Sequence, residues 1–237
     1  MDIGKSFGFV FEDEKWIEKV LIGGLVGLIP LIGSFLVIGY VVQLIRNVRN
    51  GDSHPLPEWT EWGELLADGF KLFIVFFVWA LPLIVLFMLA FIPAAMAGDA
   101  SSGDASSIAG LFATCFGCIA FLYAIVLSLA SPAILIKFAE TKEIGSGFNI
   151  SEILGFTKSH IGEIILVVIV SWLVGLLASI VGTILCLIGL LFTGFWSNLV
   201  ISHMMAQIGL NDTSTPDLLQ PAPSVEELSA PSEDTLE

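Results

Sequence analysis

A small group of polar side chains near the ends of two apolar segments is the clearest candidate for chemistry in this sequence. Asn198 and Ser202 are four residues apart and share one face of a helix, and His203 follows directly. Gln43 and Arg46 lie at the end of the first long apolar segment. If the two segments pack side by side, these groups form a polar cluster that binds a lipid headgroup or a small solute. The alternative is that they only join helix to helix through hydrogen bonds.

Sequence motifs for catalysis are absent. The histidines, at positions 54, 160 and 203, do not form a metal-ligand pair at helical spacing. The sequence has no His-Glu-x-x-His motif, Walker loop, Gly-x-Ser-x-Gly elbow or dinucleotide fingerprint. We therefore expect no enzymatic activity, no metal ion and no cofactor.

Four long stretches without Asp, Glu, Lys or Arg must position the polar cluster. The chain is 56% hydrophobic and 14% charged, whereas about 25% is usual for charged residues in soluble domains. A charge in a bilayer core costs several kcal/mol, and about 20 apolar residues cross that core as a helix. The sequence therefore predicts a multi-pass membrane protein. The uncharged stretches are Val20–Ile45, Leu72–Gly98, Ala105–Ile136 and the residues between Glu163 and Asp212.

The first uncharged stretch permits two interpretations, a single kinked span or a tight helical hairpin with its turn at residues 28–31. It contains Pro30 and several glycines, which interrupt helices or let them pack closely. Residues 98–107 lack Lys and Arg and are therefore expected outside the cell, and the flanking basic segments inside. All basic segments can lie inside the cell only if the first stretch enters and leaves the membrane on the same side. This requirement favours the hairpin.

The last uncharged stretch is long enough for two crossings, and its natural break is near Gly182. The predicted fold is therefore all-α, a polytopic membrane helix bundle of about six membrane helices whose first pair is a short Gly/Pro-rich hairpin. Both termini are expected in the cytoplasm, and the protein in the cell membrane.

Interfacial amphipathic helices are expected beside the spans. Residues 58–70 have an apolar face that includes Trp59 and Trp62, opposed by acidic residues, which is typical of a helix at headgroup depth. A second such segment is expected within residues 137–160, with Asn149 or Ser151 as its N-cap. Trp16 is a third interfacial anchor. Lys19 follows at a position from which its side chain reaches the headgroups.

The chain divides into a membrane helix-bundle domain, residues 1–210, and a tail, residues 211–237. The charged residues of the tail are all acidic, and it is rich in Pro, Ser and Thr. Such a segment cannot bury enough apolar surface to order itself, so we expect disorder. The net charge of −14 argues against a nucleic-acid partner.

Several groups of residues resemble a known prokaryotic membrane family. They occur within residues 11–16, 22–51, 55–72 and 138–153, and the most recognisable reads Pro-Leu-Pro-Glu-Trp from position 55. Together they resemble the multi-pass family known only as domain of unknown function 4013, frequent in archaea, over roughly residues 5–208. The resemblance implies a plasma-membrane location and an archaeal origin, and it supplies no catalytic residues.

Two function classes follow. The first is a non-enzymatic scaffold or accessory subunit of the cell membrane. The alternative is a transporter or channel-like protein for a small solute or lipid, working as an oligomer. Proline-broken helices and repeated hairpins favour transport, whereas the lack of charge at the bilayer midplane disfavours coupled transport. The expected partners are the lipid bilayer and either other membrane proteins or further copies of this chain.

Overall fold

The computed structural model describes residues 1–97, 103–185 and 188–210. Every regular element in these ranges is helical. Short 3-10 helices cover Phe9–Glu12 and Ile144–Phe148. The α-helices are α1 (Ile3–Gly8), α2 (Trp16–Val26), α3 (Ile32–Asn50), α4 (Trp62–Ala97), α5 (Gly103–Thr141), α6 (Ile150–Ser159), α7 (Ile161–Ile184) and α8 (Ile188–Ala206).

Four helical segments in the described residues are long and apolar enough to cross a membrane: Ile32–Asn50, Trp62–Ile92, Gly110–Thr141 and Ile161–Ile184. The described part of the chain is therefore all-helical, with helices suited to a bilayer, as the uncharged stretches predict. The prediction of about six membrane helices is not confirmed. The 11 residues of α2 extend about 16 Å at 1.5 Å per residue, short of a hydrocarbon core of about 30 Å. Helix α8 is not among the four either.

The first uncharged stretch is broken into two helices. Helix α2 ends at Val26 and α3 begins at Ile32, and Leu31 adopts a positive φ of 63° in the turn between them. A Cβ on Gly33 would overlap the carbonyl oxygen of Val26, so glycine lets α3 start directly against the end of α2. That this pair enters and leaves the bilayer on one side stays a prediction.

Helix α3 lies between α4 and α8. Where it meets α4, Gly39 faces the carbonyl oxygen of Leu65, and Gly69 faces that of Phe35, so the two backbones touch. Helix α8 packs in turn against α2, where Phe195 covers Gly23, and against α7, where the Thr193 hydroxyl donates to Ala178 O at 2.9 Å. Close backbone contacts of this kind are typical of helix packing in membranes.

The expected interfacial helix over residues 58–70 is not a separate element. Its residues from Trp62 onward form the first turns of α4, which continues to Ala97. Trp59 lies before the helix and is only 7% exposed, with its ring 4.4 Å from that of Tyr40 and its indole N–H donating to Lys19 O. Trp59 is thus a core residue, and its position at headgroup depth stays a prediction. For Trp16 and Trp62 the anchor role stays a prediction.

The second expected amphipathic segment exists as α6. The Asn149 side chain accepts a hydrogen bond from the backbone N–H of Glu152, which makes Asn149 the N-cap. Ile153 is buried against the bundle, whereas Ile150 and Leu154 are exposed. Part of the apolar side of α6 therefore packs against the protein core, and the rest is exposed on the protein surface.

Candidate functional site

A cavity of about 460 Å³ lies between α3, α4, α5 and α8. We call it the α3–α8 cavity. Ser34, Asn198 and Ser202 supply polar groups to its lining. Most of the remaining wall is apolar and includes Val37, Val41, Phe73, Phe76, Leu135 and Met205. An apolar cavity with a few polar groups is the usual form of a site for an amphiphilic molecule.

Asn198 and Ser202 share this wall, as their spacing predicts. The Asn198 amide donates to Gly194 O at 3.0 Å, and the Ser202 hydroxyl donates to Asn198 O at 2.5 Å. The Asn198 side-chain oxygen accepts no hydrogen bond from any described residue, and Asn198 is exposed. An acceptor left open beside apolar walls is the main chemical feature of the cavity. The sequence analysis did not predict Ser34 as part of the cavity. The only sequence signal for it is that a hydroxyl group lies within an uncharged stretch.

The other three residues of the predicted cluster do not converge on the cavity. Gln43 donates to Asn47 Oδ1 at 3.0 Å on its own helix. Arg46 is partly buried and forms no hydrogen bond or ion pair with a described residue. The His203 ring lies elsewhere, against Ser6 of α1 and Gln207, which directly follows α8. Helices α3 and α8 are adjacent, as the cluster hypothesis requires, but they hold these groups in separate places.

The charged end of the bundle is formed by residues 1–19, 46–71, 137–163 and 203–210. Its most buried ion pair centres on Lys19, whose ammonium lies 2.8 Å from Asp13 and 3.0 Å from both Glu58 and the Leu56 carbonyl oxygen. Lys19 is 4% exposed, so it does not extend to the headgroups as expected. Burial alone raises the pKa of Asp13, but hydrogen bonds from Lys19 and the Lys15 N–H, with the Lys19 charge, leave it below its usual 3.8.

Two further ion-pair networks join distant segments at the same end. Arg49 contacts Glu140 at 2.7 Å and donates to the carbonyl oxygens of Ala206 and Ile208, so it links α3 to α5 and to the end of α8. Lys142 contacts the buried Asp68 at 2.7 Å. The acidic side chains of residues 58–70 therefore bind basic residues of distant segments, Lys19 before them and Lys142 directly after α5.

No group of three or more His, Cys, Asp or Glu side chains in the described part of the chain is placed to hold a metal ion.

Comparison with protein families identifies a match over most of the chain. The model of the family described as "Protein of unknown function (DUF4013)" matches residues 22–187. The chain belongs to this family. The match begins inside α2 and ends before α8, so it is shorter than the expected 5–208 and leaves out Asn198, Ser202 and His203. Comparisons of this DUF4013 protein with curated proteins and with solved structures find no match.

Proposed function

We propose that this protein is a non-enzymatic membrane scaffold that holds one lipid, or a similar amphiphile, in the α3–α8 cavity. The observation that carries the proposal is the open Asn198 oxygen, together with Ser34, in a cavity of otherwise apolar walls. A ligand with a hydroxyl or amide donor beside an acyl chain satisfies the oxygen and fills the apolar volume. An empty cavity of this kind leaves a polar atom facing hydrocarbon, which is unfavourable.

In this proposal six helices lie in the bilayer: α2, α3, α4, α5, α7 and α8. The nine Lys and Arg residues all lie at the charged end. Because Lys and Arg concentrate on the cytoplasmic side of membrane proteins, the charged end is placed in the cytoplasm of a cell-membrane protein. The contact between the Asp2 N–H and the Gln207 side chain supports a common side for both ends of the helical domain.

The ion pairs favour a scaffold over a carrier. The contacts of Arg49 with Glu140 and of Lys142 with Asp68 cross-link α3, α4 and α5, which opposes sliding of these helices. The carrier alternative rests on the break between α2 and α3, since broken helices often surround transport sites. Flux measurements in vesicles that contain the purified protein distinguish the scaffold from the carrier. A scaffold gives no protein-dependent flipping of fluorescent lipids and no solute uptake, whereas flux that stops in a cavity-filling variant favours the carrier.

Removing the polar groups of the cavity is expected to weaken lipid retention. In the double variant Asn198→Leu/Ser34→Ala the ligand loses its hydrogen bonds, each worth about 1 kcal/mol, so occupancy falls about tenfold or more. The variant Val41→Trp is expected to act similarly by filling the cavity. The measurement is native mass spectrometry of protein released from detergent, with bound lipid counted per chain.

A matched control is Ser179→Ala/Thr183→Val. These hydroxyls lie on α7, away from the cavity, and bond only to carbonyl oxygens of their own helix. The control should retain lipid like the unmodified protein. Equal lipid retention in the cavity variants and the control would remove the proposed site.

The proposed orientation predicts opposite labelling of two introduced cysteines. After replacement of Cys115, Cys118 and Cys186 by alanine, an Ala100→Cys variant should react with a membrane-impermeant maleimide in intact cells. An Ala230→Cys variant should react only after the cells are opened. Labelling of both variants in intact cells, or of neither, would contradict the arrangement.

A further inference from the structure

A second, more polar pocket lies at the charged end, apart from the α3–α8 cavity. It has a volume of about 250 Å³ and lies between the N-terminal residues, the loop after α3 and the end of α8. We call it the N-terminal pocket. Its polar lining consists of Lys5, Glu12, Asp52, Ser53, His203 and Gln207.

Gln207 and Ser6 surround one ring nitrogen of His203, Nδ1. The Asp2 N–H donates to Gln207 Oε1 at 2.6 Å, and Gln207 Nε2 donates to Asp2 O at 3.2 Å, which fixes the orientation of the amide. Nε2 of Gln207 also lies 3.0 Å from His203 Nδ1. Gln207 Nε2 has two hydrogens and faces three acceptors, Asp2 O, Ser6 Oγ at 2.9 Å and His203 Nδ1. In the tautomer with the ring proton on Nε2, Nδ1 accepts one of these hydrogens.

The His203 ring is held rigidly. The residue is 3% exposed, its ring stacks on Phe9 with centroids 4.2 Å apart, and the Ser6 hydroxyl lies 2.9 Å from Nδ1. The other ring nitrogen, Nε2, has no hydrogen-bond partner among residues 1–97, 103–185 and 188–210. With the ring proton on Nε2, an acceptor bound in the pocket gains a hydrogen bond from His203 and selects this tautomer.

The pocket also presents charges of both signs. Lys5, Glu12 and Asp52 are exposed, and none of them forms an ion pair with another described residue. We propose that the N-terminal pocket binds a zwitterion that carries an ammonium group and a phosphate or carboxylate a few bonds apart, as in phosphoethanolamine. The anionic group binds Lys5 and the Nε2–H of His203, and the ammonium binds Glu12 and Asp52 through charge-assisted hydrogen bonds.

Free headgroup and intact lipid are tested in separate arms. The first arm titrates soluble phosphoethanolamine into the detergent-solubilised full chain by calorimetry, with inorganic phosphate as the comparison. The second uses native mass spectrometry of protein from nanodiscs of mixed phosphatidylethanolamine and phosphatidylglycerol. Saturable binding of phosphoethanolamine supports a free zwitterion. Selective retention of phosphatidylethanolamine alone supports the lipid headgroup. Phosphate binding as tight as phosphoethanolamine binding, or no binding in either arm, overturns the proposal.

Two exposed side chains provide variants that should leave the fold intact. Lys5→Met and Asp52→Asn each remove one proposed contact, and each should weaken binding about tenfold, the loss of one charge-assisted hydrogen bond. The matched controls are Lys158→Met and Glu14→Gln, exposed residues that do not line the pocket. The controls should bind like the unmodified chain. Equal weakening in variants and controls would show a general charge effect and overturn the site.

Discussion

Replacing Gly39 with leucine is expected to abolish the folded protein. A Cβ at this position overlaps the backbone carbonyl oxygen of Leu65, and Gly69 meets Phe35 O in the same way, so α3 and α4 touch without intervening side chains. Backbone atoms cannot move to another rotamer, and close-packed helices do not separate locally. The destabilisation should therefore exceed the about 1–3 kcal/mol typical of overpacked cores.

The measurement is the fraction of purified chain that elutes as one monodisperse species in mild detergent, together with its thermal midpoint. Gly175 provides the matched control, because it lies within α7 and a Cβ there meets nothing within 4 Å. A Gly175→Leu variant should elute like the unmodified protein, whereas Gly39→Leu should aggregate. A monodisperse Gly39→Leu variant with an unchanged midpoint would show that α3 and α4 do not meet at this point.

The long apolar helices could be predicted from sequence because lipid imposes a simple requirement on each segment separately. An uncharged stretch such as Leu72–Gly98 must satisfy its backbone internally, so its helical state follows from composition alone. The break near Pro30 was also within reach, since proline and glycine act locally. The number of membrane crossings could not be predicted, because α2 is short and its position depends on its contacts with α8.

The misassigned residues 58–70 show where local patterns fail. Their acidic face indicates contact with water, yet Asp68 is buried and bonded to Lys142, far along the chain. Trp59 likewise is typical of a headgroup anchor, but Tyr40 and Lys19 cover it. A periodic pattern shows which residues share a face and does not show whether that face meets lipid, water or another helix.

The division of the predicted polar cluster, in contrast, was available from helix geometry. At about 100° per residue, Ser202 lies about 40° from Asn198 around the helix, whereas His203 lies about 140° away. The structure places Asn198 and Ser202 on the α3–α8 cavity and His203 on the N-terminal pocket. The contact of His203 with Ser6 could not be predicted, because it forms only when the N-terminal helix folds back on the end of α8.

Replacing Lys19 with methionine is expected to destabilise the protein by about 3 kcal/mol or more, because removing one member of a buried ion pair leaves the other charge unpaired. The Lys19 ammonium is the hydrogen-bond partner of the nearly buried Asp13 carboxylate, and it also holds Leu56 O and Glu58. Methionine keeps most of the length of the side chain but removes all three contacts. The measurement is equilibrium unfolding in mixed micelles, followed by tryptophan fluorescence.

The pH dependence of this loss distinguishes an electrostatic cause from simple misfolding. In the unmodified protein the pKa of Asp13 is below 3.8, so its contribution is present above pH 3.8 and is lost as the pH falls through the lower folded-state value. Without Lys19, only the weaker remaining contacts oppose the effect of burial, which raises the pKa of Asp13. The pKa of Asp13 therefore rises. The difference in free energy of unfolding between the variant and the unmodified protein should therefore shrink as the pH falls towards 4.

The double variant Asp13→Asn/Lys19→Met should recover part of the loss at neutral pH, and the exposed Lys15→Met should change stability by less than about 0.5 kcal/mol. A Lys19→Met loss that is the same at all pH values, with no recovery in the double variant, would contradict a buried ion pair at the start of α2.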